Sequence, residues 1–295
     1  MQPAFSMSAA GLALLVIGLL AAKNDIAEAR GMGKIVALTY LCFAIPLAAF
    51  GAEHLSSPQS LLALVPSYMP WRMFWVYFVG FALIAASLSI ATKHLVRWSG
   101  LLLGAMMFLF VAMLHFPGAI AGDGRFAWTV VIREMSFGGA GWVLAGAAMD
   151  GDRHGQRKAL ITVGRALIAI AAIFFGVQHF LHPLGLPGVP LEKQMPTWIP
   201  ARAVIDYLTG ASLIVAGVCF LLARKVRMAA TYVGAWIVLL VVVIYGPVMI
   251  GALADLSTAV QVEGLNYFAD TLLFGGVILS LARAATPIPA TCRQA

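Results

Sequence analysis

Long apolar runs separated by short polar stretches follow one another along the whole chain, at residues 6–22, 34–54, 72–92, 96–116, 127–149, 158–180, 202–223, 228–250 and 263–285. A spanning helix needs about 20 mostly apolar residues, so the pattern predicts nine transmembrane helices and leaves almost no chain for a soluble domain. Composition agrees: of 295 residues 62% are hydrophobic and 11% charged, and the mean hydropathy is +0.94. These values exclude an ordinary water-soluble domain. The 29 glycines suit closely packed helices, because small side chains let backbones approach. "GGAG" at 138–141 and "FGG" at 274–276 are expected contact faces.

Charge orients the nine runs. Lys23, Arg30, Lys34, Lys93, Arg97, Arg153, Arg157, Lys158, Arg165, Arg224, Lys225, Arg227, Arg283 and Arg293 all fall in alternate connections, so 14 of the 19 basic residues lie on one side. The positive-inside rule makes that side the cytoplasm, with the N-terminus outside and the C-terminus inside. The net charge of +7 is thereby explained by membrane topology and implies the lipid bilayer, not nucleic acid, as partner. Residues 9–22 with "AEA" at 27–29 imitate a signal peptide, but no Lys or Arg precedes the apolar stretch, so it is read as the first helix. Cys42, Cys219 and Cys292 form no CxxC pair and point neither to a disulfide framework nor to a thiol redox motif.

The chain also repeats itself. Residues 66–117 align without a gap with residues 196–247, at a constant spacing of 130 that matches Pro66 with Pro196, Arg72 with Arg202, Tyr77 with Tyr207, Arg97 with Arg227 and Gly104 with Gly234. "FGAEH" at 50–54 returns as "FGVQH" at 175–179, and "FGG" at 137–139 as "FGG" at 274–276. The expected organisation is a helix and cytoplasmic loop over 1–33, a four-helix unit over 34–150, a second over 151–285, and a tail over 286–295. The fold class is therefore all-α integral membrane, with two four-helix-bundle repeats plus one extra N-terminal helix. An even number of crossings per unit makes the repeats parallel.

Each unit has a Gly and a His closing its first helix, a proline-rich outer loop, basic residues between its second and third helices and an acid in its fourth. In this it resembles the DoxX-like family of small four-helix membrane proteins, here in duplicate. The resemblance covers residues 34–285 and implies residence in a membrane such as the bacterial inner membrane. It also implies redox chemistry there, since one branch of the family resembles the membrane subunit of a thiosulfate:quinone oxidoreductase. Fold alone does not fix activity.

Ionisable residues at membrane depth mark candidate sites. On this topology Glu53, His54, His115, Arg133 and Glu134 share the outer half of unit one, where Glu53, His54, His115 and Glu134 are the candidate catalytic groups. Arg133, Tyr77, His179, His182, Tyr245 and Asp270 are candidate substrate contacts. Three chemistries stand open: proton exchange with a quinone or small reduced substrate, a metal ion on His54, His115, Glu53 and Glu134, or a haem between His54 and His179. A soluble or membrane redox partner follows from the first. Against these stand a purely neutralising network, in which Glu53 pairs with Arg133 or Glu134 with a histidine, and a non-catalytic protein that binds or moves a lipid or small molecule. Arg72 and Arg202 are expected to snorkel to headgroups, and the loops 55–71 and 181–201 to act as lids. Unit two replaces Glu53 by Gln178, His115 by Tyr245 and Glu134 by Thr271, so proton transfer is expected to belong to unit one.

Overall fold

The computed structural model describes residues 2–122, 124–149 and 154–285. The cytoplasmic assignments of Arg153, Cys292 and Arg293, and the tail 286–295, lie outside the described residues. Among the described residues nine long helices follow one another: α1 (Pro3–Glu28), α2 (Thr39–Ser56), α3 (Arg72–Ala91), α4 (Val96–Ala121), α5 (Gly124–Ala147), α6 (His154–Leu181), α7 (Arg202–Leu221), α8 (Val226–Leu253) and α9 (Thr258–Ala284). Two short helices, Gly33–Ala37 and Pro58–Leu62, sit in connections.

Seven of the nine are long and apolar enough to cross a membrane, as an integral membrane protein requires. The other two are α2 and α5. Each interrupts its apolar run with ionisable residues, Glu53 and His54 in α2 and Arg133 and Glu134 in α5. Those two helices compensate by burial, α2 enclosing most of its length from Thr39 to Ala52. Most of α5 is enclosed, and 83% of the apolar stretch of α9 is buried, against 28% for α1, α3 and α4. The centre of the molecule is therefore α5 crossing α9, and the outer helices present Phe5, Leu12, Phe81, Leu102, Val215 and Val243 outward.

Packing follows an exchange. Helix α2 pairs with α3 and α6 with α7; α4 pairs with α5 and α8 with α9. The remaining large contacts join α5 to α6, and both α1 and α9 to α2. Helices α2–α5 therefore do not close into a bundle of their own: the last helix of each expected unit lies against the first helix of the other. Glycines permit these contacts. A Cβ on Gly139 of α5 would lie 3.1 Å from the Gly164 carbonyl oxygen of α6, and one on Gly276 of α9 would lie 2.8 Å from the Cys42 Cβ of α2. The two "FG" motifs do the same at α2–α3 and α6–α7, where a Cβ on Gly51 or Gly176 would approach the Gly80 or Gly210 carbonyl oxygen to 2.9 or 2.8 Å.

Local geometry recurs at the spacing of the sequence repeat. Non-glycine residues with left-handed backbone occur at Trp71 and Ala201, at Lys93 and Ala223, and at Leu95 and Lys225, an unusual conformation for such side chains. Helices α4 and α8 each contain a π-helical turn, at Val111–His115 and Val241–Tyr245. Each turn precedes a proline, Pro117 or Pro247, whose ring has no N–H and clashes with the preceding turn of a regular helix. The extra residue in the turn relieves that clash and re-aims His115 and Tyr245.

One end of the bundle gathers Asp25, Lys93 and Arg283: Asp25 Oδ2 is 3.0 Å from Lys93 Nζ and 3.6 Å from Arg283 Nη1. Glu53, Arg133 and Asp270 lie toward the opposite end. The close α5–α6 contact gives a direct test. Gly164→Leu should lower stability by about 1–3 kcal/mol, seen as a reduced unfolding midpoint in detergent. Gly251→Leu, where no neighbour lies within 4 Å of the added carbon, should leave it nearly unchanged.

Candidate functional site

Arg133 organises the half of the molecule that lies away from Asp25, Lys93 and Arg283. Its position on α5 faces α9, and its guanidinium donates from Nη1 to Asp270 Oδ2 at 2.6 Å and from Nη2 to Glu134 Oε1 at 2.9 Å. The side chains of all three are at most 15% exposed. A buried charge is tolerated when paired and hydrogen-bonded, and here one cation meets two carboxylates. The neutralising partner of Arg133 is thus Glu134 with Asp270, not Glu53. Glu53 instead accepts a hydrogen bond from Asn266 Nδ2 at 3.3 Å, again tying α2 to α9.

Beside this network lies a cavity of about 870 Å3 lined by Glu53, Arg133, Asn266, Tyr267 and Asp270. Connecting segments add Ser57, Ser60, Glu192 and Lys193 to its lining. Lys193 Nζ is 2.7 Å from Glu263 Oε2 and stacks over Tyr267. Two polar atoms of the lining side chains, Arg133 Nε and Asn266 Oδ1, are buried with no hydrogen-bond partner among the described residues. One is a donor and the other an acceptor.

The other residues singled out in the sequence are elsewhere. His54 is half-buried, bonds through Nδ1 to the Phe50 carbonyl oxygen at 2.8 Å, and packs at Gly80 of α3. His115 ends the π turn of α4. Glu134 touches Arg133 from behind and does not line the cavity. Tyr77 is 39% exposed on α3, and His182 is exposed beyond the end of α6. Among the described residues no three His, Cys, Asp or Glu side chains are grouped to hold a metal ion, so His54, His115, Glu53 and Glu134 do not form a ligand set. The haem arrangement also loses its geometry, because His54 packs at Gly80 and His179 at Gly210, at two separate helix contacts. The Gly and His of each motif are three residues apart and so share one helix face; the repeated "FG-x-x-H" is a packing element.

His179, Tyr245 and the second outer loop form a closed plug. Residues 182–199 turn back on themselves, Leu186 N–H donating to the Lys193 carbonyl and Met195 N–H to the Leu184 carbonyl. They sink Leu186, Val189, Met195 and Ile199 into the core. Tyr245 Oη donates to the Pro187 carbonyl at 2.8 Å. Gly188, at φ 113°, donates its N–H to His179 Nε2 at 3.1 Å. That bond leaves the ring proton on Nδ1, which lies 3.2 Å from Asp206 Oδ1, an electrostatic contact, not an aligned hydrogen bond. His179 and Asp206 are both fully enclosed. Neither His179 nor Tyr245 is free to meet a substrate. Asp206 and Asn266 escaped the sequence reading; an acid one turn into an apolar helix, at 206, was the available signal for the first. Arg72 and Arg202 do not snorkel outward: Arg72 donates to the Val65 and Leu62 carbonyls, and Arg202 to the Met195 carbonyl, holding the proline-rich loops.

No protein-family model, curated protein or solved structure matches this chain. The site geometry therefore carries the functional reading.

Removing Arg133 leaves two buried carboxylates uncompensated, which costs about 3–5 kcal/mol. Arg133→Met should therefore depress the unfolding midpoint sharply, and the double variant Arg133→Met/Asp270→Leu should recover part of the loss. Equal midpoints for wild type and Arg133→Met would show that the network carries no structural weight.

Proposed function

We propose that the chain is a nine-span membrane protein built from two DoxX-like four-helix units. In this reading its outer cavity binds a small polar molecule and exchanges protons with it through Glu53. The observation that carries the proposal is that Glu53, held by an amide and not by a cation, lines one cavity together with Arg133, Asn266 and Asp270.

Two further features narrow the ligand. Connecting segments add polar residues to the lining, which favours a water-soluble molecule over one entering from lipid. The lining sets Glu53, Glu192, Glu263 and Asp270 against Arg133 and Lys193, and both cations are already paired. Excess negative charge favours a neutral or cationic ligand over a small anion. In the redox chemistry that the resemblance implies, the bound molecule is a small reduced substrate whose proton passes to Glu53 while its electrons leave to a quinone or a redox partner. Recurrent helix boundaries, π turns and left-handed residues support the duplication. The apolar length of α2 and α5 supports counting them as spans, because their charged residues are buried or turned to the cavity.

Hydroquinone, a neutral reduced molecule with two donors, and thiosulfate, an anion, are suitable probes. Hydroquinone should raise the unfolding midpoint of the wild-type protein and not that of Glu53→Gln, while Gln178→Glu keeps the response. Protection by thiosulfate alone, or protection that persists in Glu53→Gln, would overturn this assignment.

The orientation is tested separately. Cysteines at Gln59 and Gln194, both exposed, should react with a membrane-impermeant thiol reagent in intact cells. Labelling at both positions only after lysis would reverse the topology.

A further inference from the structure

The opposite end of the bundle contains a second recess, of about 780 Å3, between the connection that follows α1, the first half of α6, the α7–α8 turn and the end of α9. Its charged lining has a single sign: Arg30, Arg165, Lys225 and Arg227, with no acidic residue among the described residues that line it. No ion pair engages any of the four among the described residues. Of the two acids at the end of α1, Asp25 is held by Lys93 and Arg283, and Glu28, exposed two residues before Arg30, does not line the recess. The wall is otherwise apolar, with Leu281 buried and Tyr232 60% exposed to the outside of the bundle.

Topology alone does not demand this concentration. Basic residues anywhere on that face would satisfy the positive-inside rule. At the matched positions of the first half the chain has Tyr40, Leu95 and Arg97 where the recess has Arg165, Lys225 and Arg227. Arg97 lies over the Trp98 ring instead of entering a recess. Three guanidinium groups and an ammonium group around one concavity fit a phosphate, which arginine binds through paired N–H donors. An apolar wall that reaches the lipid-facing surface fits what is attached to that phosphate when it belongs to a lipid.

We propose that this recess binds the phosphate headgroup of an anionic phospholipid, with Arg30, Arg165, Lys225 and Arg227 around the phosphate and Tyr232 and Leu281 against the glycerol and first acyl carbons. The site is independent of the outer cavity. Occupied, it clamps the connection after α1 to α6, α8 and α9, helices that this connection otherwise touches only lightly. Each basic side chain near a phosphate contributes about fivefold in affinity.

The full-length protein in neutral detergent is titrated with phosphatidylglycerol, with phosphatidylcholine and with inorganic phosphate, and the unfolding midpoint is followed. Phosphatidylglycerol should raise it at concentrations where phosphatidylcholine and inorganic phosphate do not. In the variant Arg30→Gln/Lys225→Gln/Arg227→Gln, whose three side chains are exposed in the fold, the apparent affinity should fall on the order of a hundredfold. Arg97→Gln serves as a control on the same face and should keep wild-type affinity. Equal protection by phosphatidylcholine or by inorganic phosphate, undiminished affinity in the triple variant, or an equal loss in Arg97→Gln would each overturn the proposal.

Discussion

A permanent cation inside a bundle of apolar helices constrains everything near it. Arg133 cannot shed its proton, so burying it requires carboxylates at hydrogen-bond distance, and those must come from both its own helix and the helix it crosses. Glu134 supplies the first and Asp270 the second. The α5–α9 crossing is thereby fixed in register as well as in packing. Because α5 also packs on α6, and α9 on α2, the same pairing sets the position of the helices that carry Glu53 and His179. Two acids against one base leave a residual negative charge at the centre, next to the cavity that Glu53 enters.

On the duplicated reading Arg133 and Asp270 are matched positions of the two halves, at the spacing that also aligns the "FGG" motifs. Two identical halves would bring like charges together at this crossing. Within one chain the two positions can differ, and opposite charges replace the repulsion with an ion pair. The same freedom separates the outer ends. One half keeps a cavity beside Glu53. In the other, five additional loop residues let the segment after α6 fold inward, where Pro187 and Gly188 engage Tyr245 and His179. Gln178, which stands where the first half has Glu53, has a buried Oε1 without a partner among the described residues. A carboxylate in that enclosed position would carry an uncompensated charge, so the amide follows from the closure of the second half.

The hydrophobic pattern made the helices legible, because each apolar run is bounded by prolines, glycines or charged turns and the structure breaks at those places. It could not show which helix faces which. A repeat of four helices suggests a self-contained bundle, yet the exchange of α5 and α9 between halves depends on close approaches such as Gly139 to Gly164 that a single helix does not announce. The candidate site was partly legible. Glu53, Arg133 and Asp270 stood out as ionisable groups in apolar surroundings, and they share a cavity. The histidines misled, since recurrence beside a glycine looked like chemistry and is packing against α3 and α7. Asn266 was missed because an uncharged amide within a long helix is a weak signal; only the position of Glu53 gives it meaning.

The two ends of the molecule answer to different demands. Topology requires excess positive charge on one side, and the connections after α1, α3, α5 and α7 supply it. No equivalent rule makes the other end acidic. The carboxylates there are held by specific partners, Asp270 by Arg133, Glu53 by Asn266 and Glu263 by Lys193, and they converge on one opening although they come from α2 and α9, which are far apart in sequence. Carboxylates needed only to neutralise Arg133 would stop at Glu134 and Asp270. Glu53 exceeds that need: it adds charge of the sign already in surplus, reaches the same cavity from another helix, and has an amide for its side-chain partner among the described residues. A group placed against the local balance of charge is better explained by what enters the cavity than by what holds the helices together.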